Sequence, residues 1–419
     1  MRSRIAPFLL GSLAVAILVA PAVPQARQTT PAQGPVFRKA TNLVEVEVMV
    51  RNRAGTFVRD LTAKDLELYE DGKRQTIEQC YLVARDRTSG RTGESTPASR
   101  TTLTAPRVFV FVFDELDLET SALIRIKQGA IDFLNTEFTE EDFGGVVVDG
   151  RLYESKLTRS RAVLIAAVRA VQPAFDSRES RLRPFRDFPR IPGEAEAARL
   201  ALGDRMLVDE LGRQACQEDP FQCNQLGGLQ NVENKLQLKA RAYVSQARDA
   251  TRHTMGSIEN AVAALAALPG RKTFVFFTDG FFSSEVTNEL HQLAGRAARA
   301  GAAIYSIDGR GPAGGPPQGP DVTVATAPIS GGLDTSEDGP FALADGTGAF
   351  VVRHASDISH ALGVIALDTG TYYVVGYRPT NSVMDGKFRK VTVKAKEPGL
   401  TIRARKGYVA SPLPPLIIK

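Results

Sequence analysis

Apolar and polar positions change rhythm along the chain, and each change marks a unit. Val44, Val46, Val48 and Val50 alternate with Glu45, Glu47 and Met49, the period-two pattern of a strand with one buried face. Leu66-Glu67-Leu68-Tyr69-Glu70 alternates again and runs into Asp71-Gly72. That pair is a strong hairpin signal, because a type I′ turn needs positive φ at both central positions. Gln75–Val83 is the return strand, and 40–85 is predicted as a small all-β unit. The rhythm then shifts. Val108–Phe113 is an unbroken run of β-branched and aromatic residues that ends at Asp114, with a helical pattern from about Glu119. Its apolar stripe is Ile124, Ile131, Leu134 and Phe138, with the stem of Lys127. A short apolar run that ends in a carboxylate and feeds a helix predicts a central parallel strand. The theme returns at Lys272–Thr278 before Asp279-Gly280, and at Ala302–Ile307 before Asp308-Gly309.

The intervening segments complete the alternation. Phe143–Val148 reads as a strand, Asp149-Gly150 as a tight turn and Arg151–Lys156 as a short return. Thr158 is placed as the cap of a helix with Val163, Ala166, Ala167 and Val171 on its apolar face. Residues 172–231 break the rhythm and read as an insertion, partly ordered, with a helical piece near 194–212. A helix over 232–268 follows, striped by Met255, Ile258, Val262, Leu265 and Leu268 and ended by Pro269-Gly270. Val286–Arg299 is a further helix, 310–340 is rich in Gly and Pro, Ala349–Val352 is a strand, and Ile358–Leu367 a helix. Alternating strands and helices across 107–368 predict a doubly wound α/β domain with a mostly parallel sheet. The chain turns all-β again at Thr371–Tyr377, with a second hairpin signal at Asp385-Gly386. Neither terminal β segment is large enough to hold a core alone. Segments 40–85 and 369–410 are therefore predicted to pack as one small β-sandwich around the inserted α/β domain, with 86–106 as linker and 411–419 as tail.

Composition narrows the setting. The chain has 419 residues, 43% apolar and 24% charged, with a net charge of +5. These values are ordinary for a globular protein, and no recognition helix, finger spacing or aromatic–basic patch points to nucleic acid. Arg2 and Arg4 precede an apolar run from Ile5 to Ala20, and Ala20-Pro21-Ala22 and Pro24-Gln25-Ala26 are small-residue cleavage candidates. Residues 1–26 are thus expected to be a cleaved secretory signal, followed by a flexible mature N-terminus over 27–39. The run is shorter than the ~20 residues a spanning helix needs, and no other stretch would cross a bilayer. A secreted or periplasmic setting permits a disulfide between Cys216 and Cys223, with Cys80 left as a small buried hydrophobe.

The motifs also resemble a known family. Strands ending in Asp114 and Asp279, a hairpin second strand and Phe276-Phe277-Thr278-Asp279-Gly280 look like a von Willebrand factor type A domain. Val58–Gly72 and Tyr372–Pro379, with the later Asp385–Val391 and Arg403–Tyr408, resemble the secreted VWFA-related proteins of acidobacterial type. The resemblance implies a Rossmann-like type A domain and a metal-ion-dependent adhesion site. Such a site needs Asp-x-Ser-x-Ser after the first strand, a later Thr and the Asp of the fourth-strand loop. Asp114 matches the first Asp and Asp279 the last, but Leu116 and Leu118 stand at the serine positions and offer no oxygen. Thr251 and Thr254 lie in the region that should supply the Thr. Asp117, Glu115, Ser283 and Glu285 are available for a rearranged oxygen cage holding Mg²⁺ or Ca²⁺. Against it, an Asp that follows a strand is commonly a cap or turn former.

Other chemistry is thin. The four histidines, His253, His291, His354 and His360, have no metal spacing, and no Gly-x-Ser-x-Gly elbow or phosphate loop occurs. Lys387, Lys390, Lys394, Lys396, Arg403, Arg405 and Lys406 read as a solvated sheet face, and the Arg-rich run 177–190 as a solvated loop. The expectation is an exported, non-catalytic, adhesion-type module with no cofactor. It would bind a protein partner through a rim comprising Glu115, Leu116, Leu118, Phe281, Phe282 and Ser283. The alternatives are a divalent-metal-dependent adhesion module using Asp114, Asp117 and Asp279, and, behind it, a hydrolase or nucleotide-binding enzyme on the same frame.

Overall fold

The computed structural model describes residues 43–84, 106–148, 150–174, 177–281, 286–310, 338–353, 355 and 357–413, with the backbone of 102–103 and 323–325. The expected signal, the mature N-terminus, most of the linker, His354 and much of 310–340 lie outside the described residues. The valine alternation forms β1 (Val44–Arg51). Then come β2 (Leu66–Glu70) and β3 (Lys73–Gln75), joined through Asp71 and Gly72 at φ of 48° and 79°. Both values are positive, as the type I′ turn requires. Next are β4 (Ile77–Ala84) and the short β5 (Thr102–Leu103).

The α/β layer follows as β6 (Val108–Phe113), α1 (Thr120–Thr136), β7 (Phe143–Val148), β8 (Arg151–Leu152) and α2 (Arg161–Ala170). Residues 172–231 hold α3 (Arg178–Leu182), α4 (Glu194–Ala201), α5 (Arg205–Glu218) and α6 (Pro220–Gln225), and α7 (Leu229–Leu265) runs out of them. Then come β9 (Lys272–Thr278), α8 (Thr287–Arg299), β10 (Ala302–Asp308), β11 (Thr323–Ala325), α9 (Asp338–Thr347), β12 (Val351–Arg353) and α10 (Ile358–Asp368). The chain closes with β13 (Thr371–Tyr377), β14 (Phe388–Ala395), β15 (Thr401–Ala404) and β16 (Gly407–Val409).

These strands make three sheets. The seven-stranded one has the order β11-β12-β10-β9-β6-β7-β8. From β12 to β7 its pairs are parallel, and β11 and β8 are antiparallel edges. Pleating sends alternate side chains of β6 to opposite faces. Phe109, Phe111 and Phe113 pack against α1, α2 and α10, whereas Val110 and Val112 pack against α7 and α8. Each fully buried Phe contributes on the order of 1.5–3 kcal/mol. The protein is therefore a mixed α/β fold with helices on both faces of a mostly parallel sheet. The other two sheets, β15-β1-β13-β4-β5 and β16-β14-β2-β3, share one apolar core that joins Val46, Val48, Leu68, Val375 and Val391. Asp385-Gly386 is not a hairpin between paired strands. It carries the chain from β13 in one sheet to β14 in the other, and Gly386 N–H donates to Ala410 instead.

Several side chains face otherwise than periodicity suggests. Ile124 is 65% exposed, because α1 turns Leu123, Ile126, Ala130 and Phe133 inward between the sheet, α2 and α10. Ala166 is exposed, with Leu164 and Val168 taking its place, and Leu268 lies past the end of α7 and is partly exposed. Ser160, not Thr158, caps α2, since Thr158 is held in a bridge to Gly144. The insertion is an ordered helical unit with its own core of Leu200, Leu207, Leu211, Val232, Leu236 and Tyr243. Its α5 and α6 are stapled by a Cys216–Cys223 disulfide. α7 is 37 residues long, about 55 Å. Its first half packs on the insertion and its second half on the sheet.

A polar network joins the α/β layer to the terminal strands. Arg271 Nη2 donates to the Tyr305 hydroxyl at 2.6 Å, and that hydroxyl donates to Asp368 Oδ2 at 2.6 Å. Arg403 Nη2 lies 2.5 Å from both Asp368 oxygens. Arg405, 5% exposed, donates to Ala298 O and Glu45 O. Thus Arg403 and Arg405 leave the solvated face assigned to them, and only the lysines stay on it. Burial alone would raise Asp368, but Arg403 and Arg271 outweigh it and hold the carboxyl below its usual range. Asp368→Ala leaves these guanidinium groups uncompensated and is expected to cost about 3–5 kcal/mol. The urea-unfolding midpoint measures this, and a loss below about 1 kcal/mol would show that solvent screens the network.

Candidate functional site

The sheet order reverses at β6, which has β9 on one side and β7 on the other. In open α/β sheets ligands bind outside the carboxyl ends of the strands at such a reversal. Asp114 directly follows β6 and Asp279 directly follows β9, so both carboxylates stand there. Neither is open to water, at 1% exposure each. Asp114 Oδ1 accepts from Thr254 Oγ1 at 2.9 Å, and Oδ2 from Thr278 Oγ1 at 2.7 Å. Asp279 Oδ2 accepts the backbone N–H of Glu119 at 2.8 Å and so ties β9 to the start of α1. Asp117 is 4% exposed and forms a buried ion pair with Arg181 Nη2.

Arg181 comes from α3, within the run read as a solvated loop. That reading fails for two of its arginines. Arg181 is 3% exposed and also donates from Nη1 to Leu116 O at 3.4 Å. Arg178, one turn earlier, donates from its backbone to Leu116 O at 2.7 Å and from Nη1 to Asp279 O at 3.1 Å. Glu194 of α4 clamps the Arg178 guanidinium and in turn accepts from the Tyr243 hydroxyl. The insertion therefore folds back over the sheet edge, and Ala174 N–H to Glu115 O at 2.9 Å adds to the closure. A cleft of about 310 Å³ stays beside it, lined by Glu115, Leu116, Pro173, His253, Thr254 and Ser257 among others.

Burial sets the electrostatics. It raises Asp279 to about 6, with the nearby Asp308 charge adding to the effect and Arg178 opposing it. Burial also pushes Asp114 up against the two threonine hydroxyls. Asp117 is driven upward by burial and by Asp114, with Arg181 pulling the other way.

The residues do not fit a divalent metal. Both Asp114 oxygens are taken by threonines, one Asp279 oxygen by a backbone N–H, and one Asp117 oxygen by a guanidinium. Leu116 and Leu118 bring no oxygen. Among the described residues no group of three or more His, Cys, Asp or Glu is placed to hold a metal. The sequence-derived rim also changes. Leu118, 1% exposed, and Phe281, 2% exposed, are core residues. Phe281 packs at a tilt against Phe276 and lies so close to Gly339 that a Cβ there would stand 2.2 Å from the ring. Glu115 and Leu116 are half-buried, and Phe282, Ser283 and Glu285 lie outside the described residues.

Thr254, Thr278, Arg178, Arg181 and Glu194 belong to the site although periodicity did not select them. Thr254 was within the region expected to hold a threonine, and Thr278 is adjacent to Asp279. Arg181 reaches Asp117 across 64 positions, which no local pattern encodes.

No family model and no curated protein matches the chain. Among solved structures it is similar to the crystal structure of the conserved hypothetical protein BatB from Bacteroides thetaiotaomicron. That likeness has 12% identity and a TM-score of 0.31, covering 63% of this chain and 97% of the other. At that score it carries no argument, and the site rests on the geometry above.

A carboxyl raised by burial favours the folded state while it is protonated, and that advantage is lost as pH rises through about 6. Asp279→Asn keeps an acceptor for Glu119 N–H and removes the charge. It is expected to be about 1–3 kcal/mol more stable than the wild type at pH 7, with the gap narrowing by about 1 kcal/mol at pH 5. Denaturant titrations at both pH values check this, and a gap that widens on acidification would refute it.

Proposed function

We propose that this chain is an exported, non-catalytic binding module. It has a type A-like α/β body set between the strands of a small β-sandwich, and a helical insertion that makes the partner contact. The observation that carries this reading is on the insertion. Leu202 is 85% exposed, Met206 83% and Phe221 71%, on or beside α4 to α6, and Leu238 on the adjoining first half of α7 is 69% exposed. Large apolar side chains held in water on an ordered unit are the material of interface anchors. The disulfide that fixes α5 and α6 fits an oxidising, extracytoplasmic setting. Among the described residues no helix is long and apolar enough to cross a membrane.

The sheet edge supports a binding role over chemistry. Among the described residues, Asp114 accepts from two threonines, one Asp279 oxygen from a backbone N–H and one Asp117 oxygen from a guanidinium group. The contact thus moves from the rim loops, where Leu118 and Phe281 are core, to the insertion that covers them.

The test compares capture from native envelope extract by immobilised wild-type protein and by Met206→Asp/Phe221→Asp. Both sites are exposed, so the variant is expected to melt within a few degrees of the wild type. A partner retained by the wild type is expected to fall about tenfold or more with the variant, as for loss of two interface anchors. Equal capture by the two proteins would remove the insertion from the contact.

A further inference from the structure

The switch point carries more anionic oxygen than its hydrogen bonds satisfy. Asp279 Oδ1 and Asp117 Oδ2 are buried without a hydrogen-bond partner. Oxygens in that state are costly unless a cation compensates them. Arg178 interacts electrostatically with both Asp117 and Asp279, so one set of charges serves both. The cation that lies deepest is Arg181. Its Nη2 meets Asp117 Oδ1 and its Nη1 meets the Leu116 carbonyl, at a position in the loop where an oxygen-bearing side chain is missing.

We propose that the Arg181 guanidinium is the resident cation of this switch point, filling from within the chain the place beside Asp117 that a free cation would otherwise take. The chemistry favours the exchange. A guanidinium group is permanently charged, weakly hydrated and planar, and it makes directed bonds to a carboxylate and a carbonyl at once. Mg²⁺ gives up its water reluctantly and needs several oxygens in near-octahedral array, whereas Leu116 and Leu118 supply none from their side chains. The tethered cation is also held in place. Leu182 and Phe185, next along the chain, pack into the insertion core, and Arg178 is clamped by Glu194. The sheet edge is therefore closed and independent of metal supply. This holds whether or not the insertion contacts a partner.

The experiment uses the full purified chain. Thermal melts are recorded for wild type, Arg181→Ala and Asp117→Asn/Arg181→Ala. Each is run alone and with low-millimolar guanidinium chloride, MgCl₂, CaCl₂ or urea, far below denaturing levels. Arg181→Ala is expected to melt about 5–10 °C lower. Guanidinium should restore a measurable part of the loss, and urea, its neutral isostere, none. The double variant should melt above the single one and should not respond to guanidinium. Wild type should respond to no cation. Four results would each overturn the proposal. Arg181→Ala melts like wild type, or it responds to no cation. The double variant responds as strongly as the single, or wild type gains a comparable shift from Mg²⁺ or Ca²⁺. If Arg181→Ala does not fold, recovery of folding in the double variant supports the proposal and failure of both overturns it.

Discussion

Charge placed at the carboxyl edge of a buried parallel sheet must be compensated on the spot, and much of this protein is arranged to do so. β6 and β9 each end in an aspartate, and water reaches neither. Two threonines serve Asp114, a helix-starting N–H serves Asp279, and an arginine serves Asp117. The arginine is the expensive part, because it must be carried in from elsewhere. The insertion carries it. Its helices bury Arg181 and hold Arg178 through Glu194, so their packing and the neutrality of the sheet edge depend on each other.

α7 makes that dependence mechanical. One continuous helix holds Val232, Leu236 and Tyr243 in the insertion core and Ile258, Val262 and Leu265 against the sheet. Thr254 sits where the two halves meet and donates to Asp114. A helix without a break transmits position along its length, so the insertion is fixed relative to the strands it covers. The same chemistry closes the joint to the terminal strands. There Asp368 gathers Arg403 and Arg51, with Tyr305 relaying to Arg271. Arginine suits both joints, since its fork reaches two acceptors while a lysine presents one point charge. The exposed lysines of β14 and Lys406 take no part in them.

This closure shifts where binding is expected. Here the loop after β6 is held by Ala174 and Arg178, and Phe281 is packed inward. The apolar surface that the core does not use stands on the covering helices. The insertion, which breaks the α/β rhythm, thus lies over the loop after β6, and on the reading proposed above it is also the face that would meet a partner.

Sequence pattern alone determined much of the frame. The valine alternation, the Asp71-Gly72 turn and the apolar runs ending in Asp114 and Asp279 fix strands, a hairpin and the α/β alternation, because these depend on local periodicity and backbone sterics. The absence of oxygen at 116 and 118 was equally legible. Tertiary structure decided the rest. Which face of α1 is buried depended on α2 and α10 as well as the sheet, so Ile124 came to lie outward. Arg181, Arg403 and Arg405 read as solvated because each stands in a stretch rich in basic residues. Arg181 and Arg405 are buried and Arg403 is half-buried because their partners, Asp117, the carbonyls of Ala298 and Glu45, and Asp368, lie far away along the chain. A buried ion pair is a property of two distant segments meeting, and no local pattern records that meeting.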